Sequence, residues 1–259
     1  MRARSWANLW VPVVFLAVLV AVWEAAVRLT GVRPQVLPAP SRVAESGWEH
    51  RAAIVDHAAA TLGVTAVGFG VSLVCAWVIA IAIDFSPFMR RGLIPLLVAS
   101  QTIPVIAIAP LMSIWFGFGL LPKILVVALV TVFPIAIGLV EGFARTDREA
   151  SALLRSMGAG RLREFLLVRL PSALPLFFTS LRIGITYAVI GAIFAEYVGA
   201  KEGLGIYMSV QKNAFRTDLV LAAVAVTALV SITLYLSTYV IERLVIPWHL
   251  KERRAANER

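Results

Sequence analysis

Residues 219–232 read LVLAAVAVTALVSI, fourteen consecutive positions without a charged side chain. Residues 10–22, WVPVVFLAVLVAV, form a second such run near the other end of the chain. A surface helix of a water-soluble domain carries a polar stripe, so runs with none need apolar surroundings on every side. The whole chain agrees: of 259 residues, 60% are hydrophobic and 15% charged, where a soluble domain has about half and about a quarter. The mean hydropathy is +0.86. A globular cytosolic enzyme is a poor fit, and a polytopic membrane protein a good one.

At about 1.5 Å per residue, about 20 residues cross a hydrocarbon core of about 30 Å. That ruler gives an all-α fold with six transmembrane helices, at roughly residues 9–29, 61–83, 93–115, 121–141, 176–198 and 219–241. The opening segment begins basic like a signal peptide, but its apolar part runs about 21 residues with no small-residue cleavage site, which predicts a retained span. Six spans put both termini on one side. With the termini cytoplasmic, the inner side holds fifteen basic residues, from Arg2 and Arg4 through Arg90 and Arg91 to the tail, and the outer side eight. The excess of inner positive charge predicts that orientation. The chain divides into an N-terminal helix and outer loop (1–60), a core (61–245) and a basic tail (246–259).

The net charge of +9 sits at segment ends rather than in a basic stripe with interleaved aromatics, which points to membrane lipid and away from nucleic acid. The single cysteine, Cys75, lies in an apolar run and reads as a small buried residue; one cysteine builds neither a disulfide framework nor a cysteine metal site. His50 and His57 fall in the outer loop and His249 in the tail, with no HExxH or GxSxG spacing. No catalytic residue, metal site or bound cofactor is expected. Without a GxxxxGK[ST] phosphate loop, the chain does not hydrolyse ATP in the usual way.

The connections carry more information than the spans. Pro34, Pro38 and Pro40 mark an outer loop that leads to an amphipathic surface helix from Ser41. Pro95, Pro104 and Pro110 interrupt the third span; each ring removes a backbone donor, which predicts a kinked helix lining a cavity. Gln101 and Thr102, polar at mid-membrane depth, belong on the bundle interior, either touching solute or clamping neighbouring helices. In the fifth span Ser180, Gly184, Ala188, Ala192 and Glu196 recur every fourth residue and line one row. The small members of that row permit close helix packing. Glu196 at its end serves either that packing or a gate of the translocation path. Arg182 has a stem long enough to reach back to the interface.

Residues 142–171 read GFARTDREASALLRSMGAGRLREFLLVRLP. Six arginines share this segment with apolar residues at helical spacing, which predicts an amphipathic helix, a break at Gly158 and a short helix ending before Pro171. Such a segment either lies on anionic headgroups or docks a cytoplasmic partner.

The run from Met157-Gly158-Ala159 to Leu170-Pro171 resembles the cytoplasmic loop signature of permease subunits in binding-protein-dependent ABC importers. In that signature Glu-Ala-Ala, three residues and Gly precede nine residues, Ile, one residue and Leu-Pro. The glycine-to-proline half is present with Val168 for isoleucine; Ala152 stands where the signature has glutamate. SQTIPVIAIAPLMSIWFGFG (100–119) and GAIFAEYVGAKEGLG (191–205) are similar to segments of the nitrate, sulfonate and taurine group, which includes thiamine-precursor and riboflavin permeases. The resemblance implies a type I importer permease of MetI-like fold that passes a small solute. It implies a second copy as homodimer partner, two ATPase subunits that bind ATP and Mg, and an extracytoplasmic solute-binding protein. It also implies ATPase coupling through Leu154, Arg155, Ser156, Met157, Gly158 and Ala159. Gln101, Thr102, Pro104 and Glu196 are then candidates for the path or gate, and Gly184, Ala188 and Ala192 for helix packing. A secondary transporter lacking ATPase partners is the alternative; the two three-helix halves show no visible repeat.

Overall fold

The computed structural model describes residues 10–247. Arg2, Arg4, His249 and most of the basic tail lie outside the described residues. Among the described residues every element is helical and no strand forms. Helix α1 (Trp10–Thr30) is followed by the short α2 (Pro40–Glu49) and the 35-residue α3 (Arg51–Phe85). Then come α4 (Pro87–Thr102), α5 (Val105–Phe116) and α6 (Leu120–Ala144). The connecting segment holds α7 (Arg148–Ser156) and α8 (Arg161–Glu164), and a π-helical turn Phe165–Arg169 leads into α9 (Leu170–Glu196). Helices α10 (Leu204–Asn213) and α11 (Thr217–Val245) complete the fold. Five helices are long and apolar enough to span a membrane, or six when α4 and α5 count as one broken span.

The core is built around α6, which packs along α9 and α3. Close approach comes from glycines that face side chains across these contacts. A Cβ on Gly138 would lie 1.7 Å from Ser180 Oγ, and one on Gly68 2.6 Å from Val127 Cβ. Gly142 faces the Ala173 backbone at 2.8 Å. The row of small residues therefore does pack: Gly184 meets Ile135 and Phe69, and Ala188 and Ala192 are fully buried. Phe143, Phe165 and Phe178 fill the inner half of the core, and Ile54, Leu204, Tyr207 and Leu219 form a separate cluster under α10. Helix α1 stands at the periphery, with most of its apolar side chains uncovered, as a lipid-facing helix requires.

Four expectations change. The third span is not a kinked helix but two helices bent by 100°. Pro104 cannot donate, and its ring excludes helical geometry at Ile103, which takes φ −83° and ψ 122°. Thr102 and Ser100 hydroxyls bond back to Ala99 O and Leu97 O at the break. The bend turns Gln101, Thr102 and Pro104 out of the single-chain bundle; all three are exposed rather than interior. Pro171 does not end a helix. The preceding π turn, where Leu170 N–H donates to Phe165 O, absorbs the ring, and the helix continues over 36 residues from Arg161 to Glu196. Cys75 is exposed on α3 rather than buried.

Gly138→Val should overpack the α6–α9 contact and cost about 1–3 kcal/mol. Thermal unfolding of the purified protein in detergent, followed by the loss of its monodisperse elution peak, should show a lowered midpoint.

Candidate functional site

The segment connecting α6 to α9 is more rigid than its length suggests. Asp147 caps α7, its carboxylate accepting the Glu149 and Ala150 N–H groups at 2.8 and 3.4 Å. At the other end Gly158 adopts φ +80°, which only glycine takes without strain, and Ala159 N–H closes the turn on Leu154 O at 3.0 Å. Met157 and Leu153 stand out of α7, 73% and 63% exposed. Leu154 and Ala159 are half-buried beneath them, and Ser156 is exposed.

Two ion pairs fasten this segment. The Arg155 guanidinium holds Glu164 bidentately, with contacts of 2.8 and 2.9 Å, so it ties α7 to α8. The Glu164 carboxylate, mainly through these hydrogen bonds, pushes the Arg155 pKa further up. Arg169 pairs with Asp84 at the inner end of α3 at 2.8 Å. Arg161 donates to Phe85 O at 3.0 Å and lies over the Phe85 ring. Beneath them Phe85, Phe165, Phe143 and Trp77 stack in series, with centroid separations of 5.4, 5.3 and 6.4 Å. Sequence reasoning named the arginines but missed Asp84 and Glu164, because only the fold brings their partners to them. A cleft beside the segment is lined by Arg90, Arg148, Ser151 and Ala152, so the position without the signature glutamate faces open space.

A second network lies at the opposite end of the bundle. Glu196 is fully buried, and its Oε2 accepts from Thr61 Oγ1 and from Gly205 N–H, both at 2.9 Å. The same Thr61 oxygen accepts the Leu204 N–H at 2.8 Å, and His57 Nδ1 accepts that of Gly203 at 3.0 Å. Three orphan donors at the start of α10 are thus satisfied by side chains of α3 and α9. Gly203, at φ +125°, sits so close that a Cβ would lie 2.2 Å from Glu196 Cδ. Burial raises the pKa of the neighbouring Tyr207 phenol. Glu196 therefore seats the outer helix α10 on the bundle and is not itself exposed in a channel. His57 has a specific partner, which its position in an outer loop did not suggest.

Arg182 finds its partner on another helix. Its guanidinium pairs with Glu242 of α11, with side chains 11% and 8% exposed, and lies 4.3 Å over the Tyr239 ring. The two residues stand far apart in sequence, so the pairing left no local signal.

With the bundle, the broken span and the fastened inner segment in view, comparison with known proteins is decisive. Residues 68–249 match the family model of the binding-protein-dependent transport system inner membrane component. The chain belongs to that family. The formylaminopyrimidine transport permease protein ThiX of Halalkalibacterium halodurans is 34% identical over 242 residues, covering 93% of this chain and 96% of its own length. The riboflavin transport system permease protein RibX of Chloroflexus aurantiacus is 36% identical over 254 residues, covering 95% and 94%. The inward-facing MetNI methionine ABC transporter superposes with a TM-score of 0.61 at 19% identity, over 71% of this chain and 92% of that one. That likeness shows the fold. The chain is thus a multi-pass permease of an ABC importer for a small solute, and its fold is the MetI-like one.

Thr61→Val should leave the Leu204 N–H buried without an acceptor and remove a donor from Glu196, costing about 1–3 kcal/mol. Hydrogen exchange should report it as faster exchange across residues 203–208 with little change in α6.

Proposed function

We propose that this permease works as a homodimer with two separate ATPase subunits, which hold ATP and Mg, and an extracytoplasmic solute-binding protein that delivers its cargo. Each α7 seats in a groove of one ATPase subunit, with Leu154 to Ala159 at the contact. The observation that carries this reading is the bare apolar ridge of Leu153 and Met157 on a helix capped at both ends and tied to the bundle by Arg155–Glu164 and Arg169–Asp84. A rigid helix with an uncovered ridge is what a groove-bearing partner can hold. Closure of the ATPase pair would draw the two α7 helices together and bias the bundle between inward-facing and outward-facing packings. Solute would pass along the dimer axis past the broken α4–α5 span, where Gln101, Thr102 and Pro104 are uncovered. Glu196 sets the outer rim through α10, where the binding protein meets the permease. The termini face the cytoplasm, in keeping with the arginine-rich inner segment. The cargo is a small solute of the kind for which the relatives are named, a formylaminopyrimidine or riboflavin before taurine, sulfonates or nitrate.

The test is Met157→Asp and, separately, Gly158→Val in the reconstituted complex. Each should lower ATP-driven uptake and binding-protein-stimulated ATPase activity by about tenfold or more. A charge buried in a groove without a partner costs several kcal/mol, and a β-branched side chain at φ +80° adds strain. Uptake that continues unchanged, or that proceeds without ATP, contradicts the docking assignment.

A further inference from the structure

Helix α9 buries one side against α6 and leaves the other partly open beside α11. That side carries Thr179, Arg182, Thr186 and Tyr187 between the apolar Ile183 and Ile190; opposite it α11 presents Tyr235 and Tyr239. Together they border a cleft of about 550 Å³, inside the range of about 300–1,000 Å³ typical of small-molecule sites. The cleft lies within the spanning lengths of both helices. The Thr179, Thr186, Tyr235 and Tyr239 hydroxyls and the ion pair are bonded within the chain, but among the described residues nothing bonds the Tyr187 hydroxyl, which lipid tails do not satisfy, so this face opens onto protein or water.

Its chemistry is selective. Arg182 is the only cation among the lining residues, and Glu242 cancels its charge through a direct ion pair. One face of the guanidinium is covered by Tyr239, and Thr179 Oγ1 accepts a further N–H at 3.3 Å. No uncompensated positive charge is left for an anion. What the cleft offers instead is aromatic surface with polar rims: Tyr187 and Tyr235 are 48% and 37% exposed. The Tyr235 and Tyr239 hydroxyls touch at 3.2 Å, with their rings edge to face at 5.5 Å between centroids. Flat faces stack on planar rings, and hydroxyls at their edges pair with ring nitrogens and carbonyls.

We propose that this cleft is a solute station on the translocation path and that it takes a planar, uncharged nitrogen heterocycle in preference to a small anion. The proposal rests on the importer reading above and narrows it to one substrate class. A heterocycle stacks on Tyr187 while Tyr235 and Thr186 meet its polar edge. A sulfonate or nitrate would meet the Glu242 carboxylate beside an arginine already committed to it.

The test is equilibrium dialysis of the detergent-purified permease–ATPase complex, without the binding protein, against labelled riboflavin, an aminopyrimidine, taurine and nitrate. The wild-type complex should retain one of the two heterocycles and neither the zwitterion taurine nor the anion nitrate. Tyr187→Leu and Tyr235→Leu should each weaken that binding about tenfold, and Tyr187→Phe, which keeps the ring, should restore it; the Phe variant also separates lost stacking from lost folding. Retention of taurine or nitrate, absence of heterocycle binding, or heterocycle binding indifferent to both Leu variants overturns the proposal. Failure of the importer reading registers separately, as ATP-independent uptake by the same complex in proteoliposomes with the binding protein present.

Discussion

Two carboxylates at the inner end of the bundle, Asp84 and Glu164, decide whether the arginine-rich segment is a loop or a lever. Their side chains are 8% and 5% exposed, and each holds an arginine of that segment. A buried carboxylate that loses its partner is strongly unfavourable, so the pairs resist separation far more than exposed ion pairs do. The Phe85, Phe165 and Phe143 stack continues the attachment into the apolar core. In the proposed coupling, a push on Met157 reaches α3 and α6 through these attachments.

The outer end uses the same physics with hydroxyl and amide groups. Glu196, Thr61 and His57 satisfy the N–H groups that begin α10, so the external helix rides on α3 and α9. On the outer face Asp218 gathers Arg216 and Ser46, which joins α2 to α11. Helices α3 and α9 thus carry fixed attachments at both membrane surfaces, and α6 wedges between them through its glycines. The break between α4 and α5 and the open side of α9 both expose polar groups, Gln101 and Thr102 at the one and Tyr187 at the other.

The spans were legible because apolar runs of bilayer length admit few other structures, and the small-residue row in α9 was legible because helical period alone puts its members on one face. The break in the third span was visible as three prolines, but not its 100° angle, in which Pro104 restricts Ile103 to extended backbone and α5 packs with Val126 of α6 and Ala195 of α9. Pro171 looked like a stop because the one-residue widening of Phe165–Arg169 has no sequence signature. The inner segment could be placed from its arginines and Gly158, but its fastenings could not. Asp84, Glu164 and Glu242 find their arginines only after the helices assemble, and none sits at a spacing that announces it. Cys75 was misjudged because an apolar run is equally suited to lipid and to protein contact.

The central claim is that α7 and the inner end of α3 move as one body. Spin labels at Met157 and, in a second sample, at Ser86 next to Phe85 would give the distance between equivalent sites in the two protomers of the reconstituted complex, without nucleotide and with ATP trapped. The account predicts that both distances shorten together on ATP binding, by similar amounts. A shortening at Met157 with no change at Ser86 would contradict it, because the segment would then be moving on a hinge rather than driving the bundle.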